Sequence, residues 1–484
     1  MPDATALAKR CPQCGRLLSA DSLRCGYCLA EVWDVQADIE VGPAPGEQSR
    51  SPASRRAPRL RALADPTLAL PKWLLGLLML FVAAAGWYGF QSLKPERTLA
   101  SPSSAARTLP AASTIWATSG GNAGHTRHIA LAPALNDMAV AWQSDLGVGV
   151  AASPVADEAR LYIPTVDNRI VALDVQDGGL AWIYEESVPI SGTPIVADGR
   201  VYFLTRGGEA VCLDAATGIQ IWSADLDANF FNSPTLAEGV LFAYGTAERL
   251  YGIDSEDGRL LWSFNTGSQW ATLGPVVSGP WIVIATDDSV KVFDRESGGL
   301  RLEHPQSSLA GFALDEGRIF SVSPNFISKV DASARLPRWW GVRGVWLQLW
   351  VWGLAPEPPR FGLDWLTALR PQGLALREPN PEVFAPAVAS GLVVVADEHG
   401  LVRTFDTGSG AVRWSIEAGD VTGPPVWTAA GVLLPLRDAL SMRSSTDGSE
   451  VARSPLPVAS SRSVILTGQG VFLADTEGRV IAIR

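Results

Sequence analysis

The feature that most restricts this chain is a ruler of tryptophans: Trp142, Trp182, Trp222 and Trp262 stand 40 residues apart. Ahead of three of them one phrase recurs, as Val171-Ala172-Leu173-Asp174 with Gly178, Val211-Cys212-Leu213-Asp214 with Gly218, and Tyr251-Gly252-Ile253-Asp254 with Gly258. In each, aspartate to glycine is four residues and aspartate to tryptophan eight. A period near 40 means one supersecondary unit that buries its apolar faces against its neighbours. Strand-length apolar runs alternating with Asp/Thr-Gly turns make that unit a four-stranded blade. The expectation is an all-β chain built around a β-propeller.

Carried forward, the eight-residue rule leads from Asp294 to Leu302, Asp331 to Trp339 and Asp406 to Trp414, and a degenerate Asp447-Gly448 phrase leads to Ala452. With Trp142 these make eight outer-strand positions. The chain ends at Gly478-Arg479-Val480-Ile481-Ala482-Ile483-Arg484, one strand short of a blade, while Met138–Trp142 is an outer strand without inner partners. Sharing the last blade between the two ends leaves no open sheet edge. Eight blades are expected, with seven as the fallback if 303–340 is too degenerate to form one.

These phrases follow Ser/Thr-Pro strands such as Ser153-Pro154, Thr193-Pro194 and Ser233-Pro234. Together they resemble the pyrroloquinoline-quinone-like propeller repeat family, and the opening Trp116…Gly120-Gly121-Asn122-Ala123-Gly124-His125 is similar to that family's lead-in. The resemblance covers roughly 115–484 and implies the fold. It also implies that the repeated Trp and Asp are structural, and that outer-to-inner crossover loops form the face that meets ligands or partners.

One spacing breaks the pattern. From Trp to the next strand's Pro takes twelve residues three times and thirteen once, yet Trp339 to Pro386 takes 47. The insert, at about 341–380, is rich in Trp and Arg, and would cover one mouth of the ring. Trp340, Trp346, Trp350, Trp352 and Trp365 are therefore a candidate partner surface, since aromatics with arginines make interface hot spots. They also suit a segment dipping into a membrane interface, or a mini-domain packed on itself and on the propeller. The apolar run 344–355 is too short to span a bilayer.

Ahead of the repeats the chain changes character. Cys11-Pro12-Gln13-Cys14-Gly15 and Cys25-Gly26-Tyr27-Cys28 place Cys11, Cys14, Cys25 and Cys28 as two Cys-x2-Cys knuckles, which can close a tetrahedron around structural Zn²⁺. Residues 1–35 are similar to the short zinc ribbons of prokaryotic membrane proteins; a redox dithiol or bound iron are the alternatives. Four basic against four acidic side chains there, and a net −13 after residue 72, give nucleic-acid binding no support. Residues 36–70 read as a disordered linker, and 71–93 as a single transmembrane helix, with 21 uncharged residues from Trp73 to Leu93, about 32 Å as a helix. Six basic side chains and one acidic in 50–72 put the N-terminus in the cytoplasm and the propeller, 114–484, outside, beyond a second linker at 94–113.

The functional expectation is a membrane-anchored, extracytoplasmic scaffold that binds envelope or membrane proteins, with a glycan or small ligand in the funnel left open. The alternatives are a quinone-dependent dehydrogenase or an envelope sensor tied to the cytoplasmic ribbon. The resemblance includes quinoprotein dehydrogenases, many with adjacent cysteines, but this chain has no Cys-Cys pair and its His125, His128, His304 and His399 are scattered. Pyrroloquinoline quinone is not expected, and no catalytic residue is named.

Overall fold

The computed structural model describes residues 99–102 and 115–484, less 134, 136–137, 268–270, 272, 287–288, 306–309, 337–342, 357–359, 370–381 and 457–462; ahead of these it describes three short strands and Met79. The chain divides into two compact units, Arg97–Leu336 with Pro359–Arg484, and Met1–Glu96 with Pro337–Pro358.

The larger unit is a ring of eight four-stranded antiparallel sheets. Blade 1 runs through Val155–Ala156, Arg160–Pro164, Arg169–Asp174 and Leu180–Glu185, and its successors repeat the order. First strands of neighbouring blades lie side by side around the axis, so the fourth strands form the outer wall. Burial follows from this placement: Arg169–Asp174 has a four-residue buried centre, while Leu180–Glu185 buries only Trp182.

Blade 8 takes its inner strands, Ser463–Thr467, Gly470–Ala474 and Arg479–Ile483, from the C-terminus and its outer strand, Val140–Asp145, from the other end of the repeats. Ala482 faces Trp142, and reciprocal backbone bonds join Ala139 to Arg484. The shared blade is thus as its sequence required.

In every blade one pair of the third and fourth strands comes just before a register shift, and its outer member is the ruler residue: Ala172 with Trp182, Cys212 with Trp222, Gly252 with Trp262, Val292 with Leu302, Thr404 with Trp414 and Met442 with Ala452. Blade 5 corrects the expectation for Trp339. Its partner to Lys329 is Trp365, on the outer strand Leu363–Ala368. Trp339 and Trp340 lie outside the described residues. The reason is local: Asp331 N–H bonds Gly362 O as Asp174 N–H bonds Gly179 O, each carbonyl three residues before the indole, and the extra chain loops out between them.

The greater part of the insert therefore leaves from the turn between the third and fourth strands of blade 5; Trp365 to Pro386 still takes 21 residues against the usual twelve, so the rest lengthens the outer-to-inner crossover, largely outside the described residues. Residues 363–368, expected inside the insert, are blade wall. Within the smaller unit the insert forms the helix Arg343–Val351. The same unit holds an antiparallel sheet of Ala6–Arg10 between Leu17–Ser19 and Ile39–Val41, the last in a stretch expected as linker, where Ile39 and Val41 alternate with Glu40. Cys11, Cys14, Cys25, Cys28 and, apart from Met79, the apolar stretch 73–93 lie outside the described residues. No helix among the described residues is long and apolar enough to cross a membrane.

Candidate functional site

The repeated Trp and Asp act together at the seams. Asp214 accepts from Ala216 N–H, Thr217 N–H and the Thr217 hydroxyl at 2.8–3.1 Å, which fixes the turn and leaves the Ala215 carbonyl facing blade 1. The Thr217 hydroxyl bond, ahead of the backbone ones, holds the Asp214 carboxyl below its ordinary range. Trp182 Nε1 then donates to Ala215 O at 3.0 Å, and the Tyr162 hydroxyl donates to the same oxygen at 3.2 Å. Asp174 and Asp254 bind the N–H two residues on in the same way, at 2.7 and 3.0 Å.

Trp142 donates to Val175 O, Trp222 to Ser255 O, Trp365 to Thr407 O and Trp414 to Ser445 O, at 2.9–3.2 Å. Each indole also covers the turn glycine of the next blade: a Cβ on Gly178, Gly218, Gly258, Gly410 or Gly448 would meet the ring at 2.5–2.7 Å. Between blades 3 and 4, Trp262 stacks on Phe264 at 5.5 Å, and Phe264 covers Gly298. These residues hold the ring together; Trp365, expected as partner surface, is one of them.

The two faces of the ring differ. On one, the turns between first and second strands meet the lead-in, whose backbone bonds the first strands of blade after blade: Trp116 O to Ala156, Ala117 O to Val196, Ala123 O to Val277, Gly124 O to Leu314, Thr126 O to Val388 and Arg127 O to Trp427. Six of the eight inner strands are thereby tied to one short segment. It buries Asn122, which bonds Thr126 Oγ1 at 2.7 Å, and His125, whose pKa falls to about 3 through burial and then Arg127. Burial also lowers Arg127 to about 10; its Nη1 donates to Ser119 O at 2.7 Å. An open cleft of about 650 Å³ lies on this side between blades 6 and 7, edged by His128, Trp427, Thr428, Thr446 and the Asp406–Arg413 pair at 2.5 Å.

The opposite face carries the outer-to-inner crossovers, each bonded to the turn between the second and third strands, as Val166 N–H to Gly149 O, Arg206 N–H to Pro189 O and Thr246 N–H to Asn229 O. That pairing fixes the backbone and sends turn side chains outward. Arg206 lies over the Phe231 ring, 5.8 Å from its centroid, while neighbouring Phe230 is fully buried edge-on to Tyr251. Phe231 is 50% exposed, and Val166 at the corresponding turn of blade 1 is 62% exposed. A guanidinium on an exposed aromatic is a ready docking point.

Spacing did not single out Arg206, Phe231 or Val166. The available signal was the aromatic doublet Phe230-Phe231 before Asn232-Ser233-Pro234, where the crossovers before Pro154 and Pro194 carry Val150-Ala151 and Ile190-Ser191. Of the insert's tryptophans, Trp346, Trp350 and Trp352 lie on or just after the helix Arg343–Val351. Trp346 Nε1 donates to Pro356 O at 2.8 Å, and Trp352 is 63% exposed.

Residues 130–193 and 187–311 match the family described as Outer membrane protein assembly factor BamB. No curated protein matches the sequence. Among solved structures, BamB from Moraxella catarrhalis superposes with a TM-score of 0.52 at 13% identity, over 72% of this chain and 97% of that one. The computationally designed Ika8 protein gives 0.55 at 14%, over 71% and 98%. Quinohemoprotein alcohol dehydrogenase from Comamonas testosteroni gives 0.53 at 14%, over 76% and 80%. Likeness at such identity shows a shared fold and carries no activity. By repeat, by closure and by these neighbours, residues 115–484 have the fold of an eight-bladed β-propeller.

Proposed function

We propose that this chain is a membrane-anchored scaffold whose ring stands outside the cytoplasm and docks an envelope protein through its crossover face. The observation that carries the reading is the Arg206–Phe231 pair on that face: an aromatic half out of water, capped by a guanidinium and set on backbone tied at both ends. The match to a family described as an assembly factor supports a protein as the ligand. In the same reading the apolar stretch 73–93 spans the inner membrane, and Cys11, Cys14, Cys25 and Cys28 hold a structural zinc on the cytoplasmic side.

The test is a photo-crosslinking residue at position 166 of the full chain in its own cells. One discrete adduct that disappears with Phe231→Asp and with Arg206→Glu, in variants that melt like the parent, is the expected result. An adduct pattern unchanged by both substitutions sinks the crossover face as the docking site.

The dehydrogenase alternative asks for a quinone held by a metal. The chain has no adjacent cysteines, and among the described residues no three His, Cys, Asp or Glu side chains converge as metal ligands, so the described residues offer that group no metal cage. The sensor alternative gains one observation. Leu99 N–H bonds Glu296 O at 2.6 Å and its side chain is buried, so the stretch expected as a loose linker at 94–113 is pinned to the ring six residues after the apolar segment.

A further inference from the structure

The helix Arg343–Val351 is a short element with no apolar stripe: from Val345 to Ala355 the only polar side chain is Gln348, and Val345, Trp352 and Leu354 are 63, 63 and 71% exposed. A helix that is apolar all round is ordinarily buried in a core or in lipid. At nine residues it is about 14 Å long, too short to cross a bilayer. Its polar needs are met within the segment where they can be, since the Trp346 indole donates to Pro356 O after the chain turns back.

What covers this surface follows from charge and from where the chain enters the ring. Between 337 and 360 stand Arg338, Arg343 and Arg360 against Glu357 alone, in a chain whose residues after 72 carry a net −13. The segment is a basic, tryptophan-rich island on an acidic domain, complementary to anionic headgroups. Leu99 is fixed at Glu296, in the turn between the third and fourth strands of blade 4, and the insert leaves from the corresponding turn of blade 5. Leu99 comes six residues after Leu93, the end of the apolar stretch, and extended chain covers that span in about 21 Å. The tether from that stretch and the insert therefore join the ring at corresponding turns of neighbouring blades.

We propose that residues 343–355 form a tip that enters the headgroup and acyl boundary of an anionic bilayer, giving the ring a second membrane contact beside its anchor. From Val345 on, side chains apolar on every side but at Gln348 fit a surrounding medium; a groove in a partner would leave a broader outward polar face. The inference rests on reading 73–93 as a span, and its test separates the two.

The experiment uses the full chain in vesicles of phosphatidylcholine with or without phosphatidylglycerol, with an environment-sensitive fluorescent residue at position 352 and, as a control, at Ile219, which is 67% exposed in the turn leading into the outer strand of blade 2. Lipid-borne quenchers should quench position 352 several-fold more than 219. The quenching should be stronger in the anionic vesicles, and Leu354→Ser with Val345→Ser should weaken it. Resistance to alkaline carbonate extraction reports the span independently. Position 352 quenched no more than 219 overturns the tip, even if extraction shows the anchor to hold. Quenching at 352 in an extractable protein upholds the tip and removes the span. Equal quenching in both vesicle types overturns the assignment to anionic lipid.

Discussion

At the scale of single residues, the turn glycines do two jobs that one pair of substitutions separates. Gly178 and Gly199 both sit at positive φ, 71° and 74°, where an alanine is strained. At Gly178 a Cβ would also meet Trp142 at 2.5 Å, whereas at Gly199 nothing lies within 4 Å. Gly199→Ala should cost about 1 kcal/mol and Gly178→Ala clearly more, read from urea denaturation of the two variants against the parent. If the two lose stability equally, the indole does not hold the seam.

His125 makes the second prediction. Its folded pKa, about 3, lies below the ordinary 6.5 because burial and then Arg127 disfavour the charged ring. The unfolded chain therefore takes up the proton first as pH falls. The stabilisation is whole above about 6.5 and is lost at about 1.4 kcal/mol per pH unit below it, until the folded value is reached. His125→Gln should remove this slope, so between pH 6.5 and 5 the parent should lose about 2 kcal/mol more than the variant. Equal losses would mean that His125 is solvated in the folded ring.

At the scale of elements, blade 5 shows where sequence spacing works and where it stops. The eight-residue rule holds while the turn between third and fourth strands stays tight, because the aspartate's bonds fix its length; a loop inserted into that turn uncouples Asp331 from its indole. Counting on to Trp339 failed for that reason, although Gly362-Leu363-Asp364-Trp365 repeats the local form of Gly179-Leu180-Ala181-Trp182. Leu302 and Ala452 were legible despite losing the indole, since their turns kept their length. Phe231 and Arg206 were not, since exposure at a crossover depends on the pairing of two loops distant in sequence. Trp365→Ala should destabilise by about 3–5 kcal/mol by emptying the seam against Gly410, and Trp339→Ala by much less. Thermal melts of both variants decide the assignment, and the reverse order would restore Trp339 to the blade.

At the scale of the molecule, the ring closes at blade 8 and is tied again by the lead-in. Removing Arg479–Arg484 strips the outer strand Val140–Asp145 of its partner and leaves two exposed edges, so the truncated chain should self-associate. Light scattering against the parent tests this; a monodisperse truncated monomer would show that the lead-in alone can hold the ring shut.

That closure also sets a clock on biogenesis. The outer strand of blade 8 and the lead-in are among the first parts of the ring to be synthesised, yet the lead-in waits for blade 7 to complete its bonds and the outer strand waits for Arg479–Ile483. Blades can form one by one behind them, but the ring cannot close until Arg479–Ile483 have emerged. Nascent chains therefore carry an unpaired strand through the synthesis of all seven other blades, which makes them clients for chaperones that shield edges. A chain terminated early is marked as defective by the same open edge that completion would have hidden.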